Sequence, residues 1–255
     1  MGKTLAIVNQ KGGVGKTTTV VNLAAALVGE RARVLGMDLD PQAHLTLSLG
    51  LRPAPEQVTV YDLLMDESLP ARESVVPTHL PGLDLIPATS DLAGAEVQLT
   101  EVGERHARLA RVTKELRKSY DFLLIDCPPS LSLLTINALA AAEGLVVPLE
   151  CSFLATQGLR ELLDTFERVR ANVNKKLRIS GILLTMFDPR TLHSREVVAA
   201  VREQFGDQVF ETVIPLSVRF REAPMLGQSI LEYAPSHPGA AAYRKLAQEV
   251  VCRES

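Results

Sequence analysis

Short apolar runs alternate with longer segments of helical periodicity from one end of the chain to the other. Runs typical of buried strands are Thr4–Val8, Arg33–Asp38, Leu83–Pro87, Phe122–Asp126, Leu145–Pro148, Ile179–Thr185 and Val209–Val213. Helical patterns cover Lys16–Val28, Glu104–Lys118, Leu131–Ala141, Gly158–Val173, Ser194–Phe205 and Gly239–Val251. This alternation predicts an α/β fold with a doubly wound, mostly parallel sheet that carries helices on both faces.

Length and composition predict one domain over residues 1–255. The chain is 46% hydrophobic and has no Trp, so it can bury the aliphatic core that a parallel sheet requires. Residues 51–80 contain several prolines and read as a surface excursion, without the features of a second domain. No apolar run reaches the ~18 residues of a membrane span.

A glycine-rich loop follows the first apolar run and precedes the first helical pattern. Residues 10–18 read QKGGVGKTT. Glycines allow successive backbone N–H groups to curl around an anion, and the following helix presents its positive dipole end to the same anion. Lysine and threonine at the end of such a loop serve the β/γ-phosphates and Mg²⁺. The pattern predicts nucleoside triphosphate binding by Gly12, Gly13, Val14, Gly15, Lys16, Thr17 and Thr18.

A second lysine, Lys11, stands at the other end of this loop, next to Gln10 in the place of the usual first glycine. One nucleotide needs only one of the two lysines at its β/γ-phosphates. From spacing alone, Lys11 is either a solvated loop charge or a cation that reaches a phosphate across a dimer interface.

An acidic residue, Asp126, ends the apolar run Phe122–Asp126. A carboxylate at a strand end beside a phosphate loop is the Walker B arrangement, which faces the Mg²⁺ shell. Ligands of doubly wound sheets bind beyond the carboxyl ends of the strands, where this residue is expected to lie. We therefore predict that Asp126 and Thr17 hold the metal ion.

The loop resembles the deviant Walker A motif of the ParA/MinD class of ATPases, and the resemblance to its chromosomal Soj-type branch covers nearly all 255 residues. The landmarks that carry it are Asn9-Gln10, Asp38-Leu39-Asp40-Pro41-Gln42, Asp126-Cys127-Pro128-Pro129-Ser130, Thr185-Met186-Phe187-Asp188, Ile214-Pro215 and Glu222-Ala223-Pro224 before Gly227. The resemblance implies an Mg²⁺-dependent ATPase that forms a homodimer with ATP. It also implies that Lys11 contacts the nucleotide of the partner subunit.

The same resemblance assigns Asp40 to a first switch, where it orients the attacking water and touches the Mg²⁺ shell, and leaves Asp38 a structural part. Here Ala43 and His44 replace the Gly-Asn pair common in the family, which we expect to stiffen the loop. The second switch follows Asp126.

The base of the nucleotide is expected to lie against residues at late strand ends. The resemblance points to the loop at Pro215 and Ser217, and Met186 is a third candidate that could equally be a core residue. The chain contains no Asn-Lys-x-Asp guanine-reading motif, so ATP is favoured over GTP.

DNA binding cannot be predicted from the net charge, which is −3. Cations nevertheless collect in the last third of the chain, and such residues contact phosphates without reading sequence. A scatter of this kind is also typical of a solvated surface. The resemblance implies nonspecific double-stranded DNA binding by the ATP dimer, with Arg190, Arg219 and Arg221 as contacts, while Leu216 stands where the family has a further arginine.

The expected partner resembles ParB/Spo0J, a centromere-binding protein that stimulates hydrolysis. Three widely spaced cysteines and the absence of a signal-peptide pattern favour the cytoplasm, and DNA binding would place the protein on the nucleoid. The sequence lacks the CxxC of iron–sulfur relatives. A MinD-like ATPase on a membrane or one that positions protein clusters remains the alternative, although no amphipathic tail follows the last helical pattern.

Overall fold

The computed structural model describes the backbone of residues 1–152 and 155–255, and their side chains except those of 155–158 and 160. Its strands are β1 (Lys3–Ile7), β2 (Val34–Asp38), β3 (Val76–Pro77), β4 (Leu83–Ile86), β5 (Phe122–Asp126), β6 (Gly144–Glu150), β7 (Arg178–Phe187) and β8 (Val209–Pro215).

Helices connect most of these strands. They are α1 (Lys16–Gly29), α2 (His44–Ser48), α3 (Val60–Met65), α4 (Leu92–Gln98), α5 (Arg108–Leu116), α6 (Leu133–Ala141), α7 (Ala155–Asn172), α8 (Leu192–Phe205), α9 (Arg219–Glu222), α10 (Ile230–Tyr233) and α11 (Pro238–Glu254). Among the described helices, none combines the length and apolarity needed to cross a bilayer.

The strands form one sheet in the order β3-β4-β2-β5-β1-β6-β7-β8, and within the described residues only the pairing of β3 with β4 is antiparallel. In the register of the central strands, Ile7 and Asp38 both lie opposite Asp126. The chain therefore leaves β1, β2 and β5 at the same edge of the sheet. The predicted doubly wound, mostly parallel fold is confirmed.

Both faces of the sheet are buried. In β5, Leu123 and Ile125 pack into a cluster on one face with α6, whereas Phe122 and Leu124 pack on the other with α1 and α11. This alternation follows from the two-residue period of a strand. Helices on both faces explain why the strand reads as a continuous apolar run.

Residues 51–80 differ from the expected surface excursion. Within them, α3 places Val60, Leu63 and Leu64 in the core with no exposed surface. The Asp62 carboxylate accepts hydrogen bonds from Thr59 N at 2.8 Å and Thr59 Oγ1 at 2.9 Å, which caps the first turn. Six residues are too few to show a helical period in the sequence, and the surrounding prolines conceal the helix.

The helix expected from Glu104 begins instead at Arg108. Glu104 adopts a φ of 52°, in the left-handed region that a right-handed helix cannot include. The earlier start was wrong because the composition of residues 104–107 does not reveal this backbone reversal.

Candidate functional site

The glycine-rich loop joins β1 to α1 at the edge of the sheet where the central strands end. Gly13 and Gly15 have φ values of 78° and 92°, conformations that favour glycine. Thr185 Oγ1 on β7 donates a hydrogen bond to Val14 O at 2.9 Å, and Thr19 N donates to Gly15 O at 2.8 Å. The glycines permit these backbone angles, and the long-range bond from Thr185 fixes the loop in front of the helix N-terminus.

Thr17 and Asp126 lie in contact beside this loop. Thr17 Oγ1 donates a hydrogen bond to Asp126 Oδ2 at 2.6 Å, while the buried Asp126 Oδ1 has no partner among the described residues. Burial, followed by the charge of Asp38, raises the pKa of Asp126 well above its ordinary value. An orphaned carboxylate oxygen next to a hydroxyl offers the hard oxygen ligands that Mg²⁺ prefers. The two side chains fit the predicted metal site.

Asp38 and Asp40 have different surroundings although they are two residues apart. Asp38 Oδ2 accepts hydrogen bonds from Thr46 N at 2.8 Å and Thr46 Oγ1 at 2.7 Å, and Asp38 Oδ1 accepts one from Asp40 N at 3.2 Å. Burial raises the pKa of Asp38 to about 6. Asp40 instead lines a cavity in front of the glycine-rich loop, and its Oδ1 accepts a hydrogen bond from Gln42 N at 2.9 Å. Asp38 thus holds the switch backbone that presents Asp40.

Ala43 lies in the middle of this switch with a φ of 52° and a ψ of 33°. Left-handed backbone costs a non-glycine residue about 1–2 kcal/mol. The geometry gives a physical reason for glycine at the equivalent place in the family pattern, and it shows that this chain carries local backbone strain directly before α2.

Lys16 lies inside the cavity. Its residue is only 7% exposed, its Nζ donates a hydrogen bond to Lys11 O at 3.3 Å, and burial lowers its pKa while the charge of Asp126 opposes that shift. A largely desolvated ammonium next to open backbone N–H groups is suited to a phosphate.

Lys11 points elsewhere. Its side chain is 42% exposed, its Nζ contacts Glu150 Oε2, and the same Nζ donates a hydrogen bond to Ser152 Oγ at 3.2 Å. The backbone below is fixed, because Asn9 Oδ1 accepts a hydrogen bond from Lys11 N at 3.0 Å and Asn9 Nδ2 donates to Pro148 O at 2.7 Å. Lys11 is not among the residues that line the cavity.

The cavity in front of the loop has a volume of about 500 Å³, within the usual range of small-molecule sites. Met186, Pro215 and Ser217, the predicted base contacts, line it together with the loop, and Met186 has a φ of 55° at the end of β7. Such strain in a non-glycine residue is often found at ligand sites. The remaining lining residues are Gly12–Thr18, Asp40, Gln42, His44, Pro129, Thr185, Ile214, Leu216, Phe220, Arg221 and Tyr243.

The three arginines predicted to contact DNA have different surroundings. Arg190 is 85% exposed after β7 and forms two hydrogen bonds with the Asp188 carboxylate, at 2.9 and 2.8 Å. Arg219 Nη1 donates to Glu222 Oε2 at 2.9 Å. Arg221 is also exposed, and it lines the cavity in front of the glycine-rich loop.

Several residues of the site escaped the sequence reasoning. Glu150 ends β6 in the same way that Asp126 ends β5, so the rule of ligands at strand ends could have found it. The cavity residues Phe220 and Tyr243 carry no such signal, since they come from separate helices that only the tertiary structure brings together.

Known proteins are similar in sequence to this chain over most of its length. A family model described as an AAA domain matches residues 2–179. The chromosome-partitioning ATPase Soj of Thermus thermophilus is 50% identical over 249 residues, which cover 98% of this chain and 95% of that protein. The chromosome partitioning protein ParA of Caulobacter vibrioides is 47% identical over 254 residues, which cover 99% of this chain and 95% of that protein.

Solved structures agree with the fold. A cobyrinic acid a,c-diamide synthase from Mycobacterium smegmatis, with a bound ATP analogue and magnesium, has a TM-score of 0.85 and 39% identity and covers 97% of this chain and 93% of its own. The cell division ATPase MinD of Pyrococcus furiosus has a TM-score of 0.81 and 28% identity, with 99% of both chains covered. With a phosphate loop, an acidic strand end and these relatives, the chain belongs to the ParA/Soj family of chromosome-partitioning ATPases.

Proposed function

We propose that ATP and Mg²⁺ close two copies of this chain face to face, and that the closed dimer binds double-stranded DNA without reading its sequence. Hydrolysis, stimulated by a ParB/Spo0J-like centromere-binding protein, then releases the dimer. The nucleoid would be the cellular location of the ATP-bound form.

Binding and hydrolysis follow from residues of one subunit. The N–H groups of the loop and the Lys16 ammonium surround the phosphates, and Thr17 with Asp126 would hold the metal, as their contact at 2.6 Å suggests. Mg²⁺, when bound, neutralises charge on the β- and γ-phosphates. Asp40, whose Oδ1 accepts a hydrogen bond from Gln42 N at the cavity wall, would orient the attacking water. Positioning and charge compensation are the main demands of phosphoryl transfer.

The observation that supports the dimer proposal is that Lys11 contacts Glu150 and Ser152, outside the cavity of its own subunit. This lysine leaves its own cavity and pairs with Glu150, so its charge does not serve the nucleotide of its own subunit. A second subunit that faces this one would bring its phosphates toward an exposed ammonium. Phosphate competes well for such a cation because exposed ion pairs are weak. We therefore assign Lys11 to the partner's nucleotide.

DNA binding would come from Arg190 and Arg219, both exposed and both outside the cavity lining. Two subunits closed together double the number of such contacts on one duplex. Avidity then raises the affinity and steepens its dependence on salt. This explains how a protein with a net charge of −3 could bind DNA only in one nucleotide state.

The test is binding to a random-sequence duplex without nucleotide, with ADP, and with ATP and Mg²⁺, each at two salt concentrations. We expect DNA binding only in the presence of ATP and Mg²⁺, and we expect this binding to be lost at the higher salt concentration. The Asp40→Ala variant should bind ATP and remain on DNA, because its water is no longer oriented. Rapid phosphate release by this variant would remove Asp40 from the mechanism.

One outcome would redirect the proposal. If ATP dimerises the protein, as measured by analytical ultracentrifugation, and no nucleotide state binds DNA, then the surface to which the dimer binds is not DNA. Vesicles of anionic lipid and candidate protein scaffolds would then be assayed in the same three nucleotide states.

A further inference from the structure

Helix α9 carries two exposed arginines, Arg219 and Arg221, that have different neighbours. Arg219 Nη1 donates hydrogen bonds to Glu222 Oε2 at 2.9 Å and Tyr233 OH at 3.2 Å, and its guanidinium lies 5.8 Å from the centre of the Tyr233 ring. Residues two positions apart do not share a helix face. Arg221 accordingly lies on a different side of the helix from Arg219, and it lines the nucleotide cavity.

The Arg221 guanidinium has no hydrogen bond or ion pair with the residues that the structure describes. Its backbone is fixed, because Arg221 N donates to Val218 O at 2.8 Å. An arginine presents several donors in a planar fork that matches phosphate oxygens. The helix thus places an unpaired fork at the wall of a site meant for a polyanion.

The charged residues that line the cavity are compatible with a second cation that binds the nucleotide. Among its described lining residues, Lys16 and Arg221 carry a positive charge and Asp40 a negative one. Lys16 begins α1 next to Thr17, at the end of the cavity where the metal site lies. Arg221 follows the predicted base loop, Ile214–Ser217, by only four residues, and both line the cavity, so the short chain segment ties Arg221 to the side expected to hold the base.

We propose that Arg221 binds the nucleotide of its own subunit at the phosphate nearest the ribose, and is not a DNA contact. This inference rests on the nucleotide site of the proposed function and adds a residue to it. The α-phosphate is common to ATP and ADP, so Arg221 strengthens both complexes equally. It holds the nucleotide before and after hydrolysis, whereas Lys16 responds to the β/γ end.

The test is equilibrium binding of ATP, ADP and adenosine to the wild-type protein, Arg221→Ala and Arg221→Lys, without DNA. Arg244→Ala is the matched control, since Arg244 is exposed on α11 and lies outside the cavity lining. We expect Arg221→Ala to weaken ATP and ADP by about tenfold each, the effect of one exposed charge-assisted hydrogen bond. Adenosine should bind Arg221→Ala as it binds the wild type, and Arg221→Lys should recover part of the loss.

Two results would overturn the inference. One is an unchanged affinity of Arg221→Ala for ATP and ADP, and the other is an equal loss for adenosine, which would reveal a base contact or altered folding. Thermal unfolding of each variant separates the last two causes. A wild-type protein that binds neither ATP nor ADP would contradict the proposed function itself, so the two failures are distinguishable.

Discussion

The buried Lys16 of the nucleotide cavity and three cations on the outer surface are held in opposite ways. Lys16 is buried, and its closest recorded partner is a neutral carbonyl oxygen, Lys11 O at 3.3 Å. Three exposed cations instead each contact a carboxylate: Lys11 with Glu150, Arg190 with Asp188, and Arg219 with Glu222. Lys16 forms no ion pair with the described residues, whereas the three exposed cations are each paired with a carboxylate.

This difference has an energetic meaning. An exposed ion pair contributes about 0–1 kcal/mol, so an incoming polyanion can displace its carboxylate. A buried ammonium that forms no ion pair is costly, and an anionic ligand relieves that cost. The inner region is thus built for tight binding of a small anion, and the outer surface for exchangeable contacts. Each prediction below changes one side of the comparison.

The largest effect is expected from Lys16→Ala. Loss of the buried ammonium leaves the phosphates without their principal counter-charge, and we expect ATP affinity to fall about a hundredfold or more. Isothermal titration calorimetry measures it, with Lys114→Ala, an exposed lysine on α5, as the control of equal charge change. ATP affinity within tenfold of the wild type would mean that the buried position of Lys16 does not matter for phosphate binding.

The matching change on the outer surface is Lys11→Ala. Because Lys11 lies outside its own cavity, ATP should bind within about threefold of the wild type, as expected for a solvated charge at a distance. Dimerisation with ATP should be lost, since the partner's phosphates lose their added cation. Sedimentation of wild type, Lys11→Ala and Lys114→Ala at matched ATP tests this. A Lys11→Ala dimer of normal affinity would contradict the trans contact.

The inner region was also the easier one to predict from sequence. Its conformation depends on neighbours in the chain: glycines at positive φ, such as Gly13 and Gly15, and an aspartate at the end of an apolar strand. The bounds of β5 were predicted without error, and those of β1 within one residue. Strong local patterns were sufficient there.

The outer contacts lack such patterns. Lys11 and Glu150 are 139 residues apart in sequence, and only the central strand order brings them together. The position of Arg221 at the cavity depends on where α9 begins, and a four-residue helix is too short to be predicted from sequence. The two-residue β3 and the six-residue α3 escaped for the same reason, since tertiary packing and not periodicity determines such short elements.

A smaller effect is expected from Asp188→Asn. Hydrogen bonds donated by the Arg190 guanidinium and by its backbone N–H lower the pKa of Asp188 to about 2, so this carboxylate stays charged and competes with DNA at any pH above about 3. Its removal should tighten DNA binding by the ATP-bound protein about two- to fivefold, equally at pH 6 and pH 8. Fluorescence anisotropy measures the change, and Asp207→Asn controls for net charge. Weaker DNA binding by Asp188→Asn would indicate that Asp188 positions Arg190 and does not compete for it.

The smallest effect is expected from Glu150→Gln. This substitution keeps the size of the side chain and removes the charge that holds Lys11, whose bond with Ser152 Oγ at 3.2 Å remains. If the ion pair must open before Lys11 reaches the partner, the concentration of ATP that half-dimerises the protein should fall about two- to threefold, because an exposed pair stores little free energy. Glu73→Gln, at another exposed glutamate, is the control. A higher ATP requirement in Glu150→Gln would reverse the reading: Glu150 would then present Lys11 to the partner, and the outer carboxylates would be part of the dimer site.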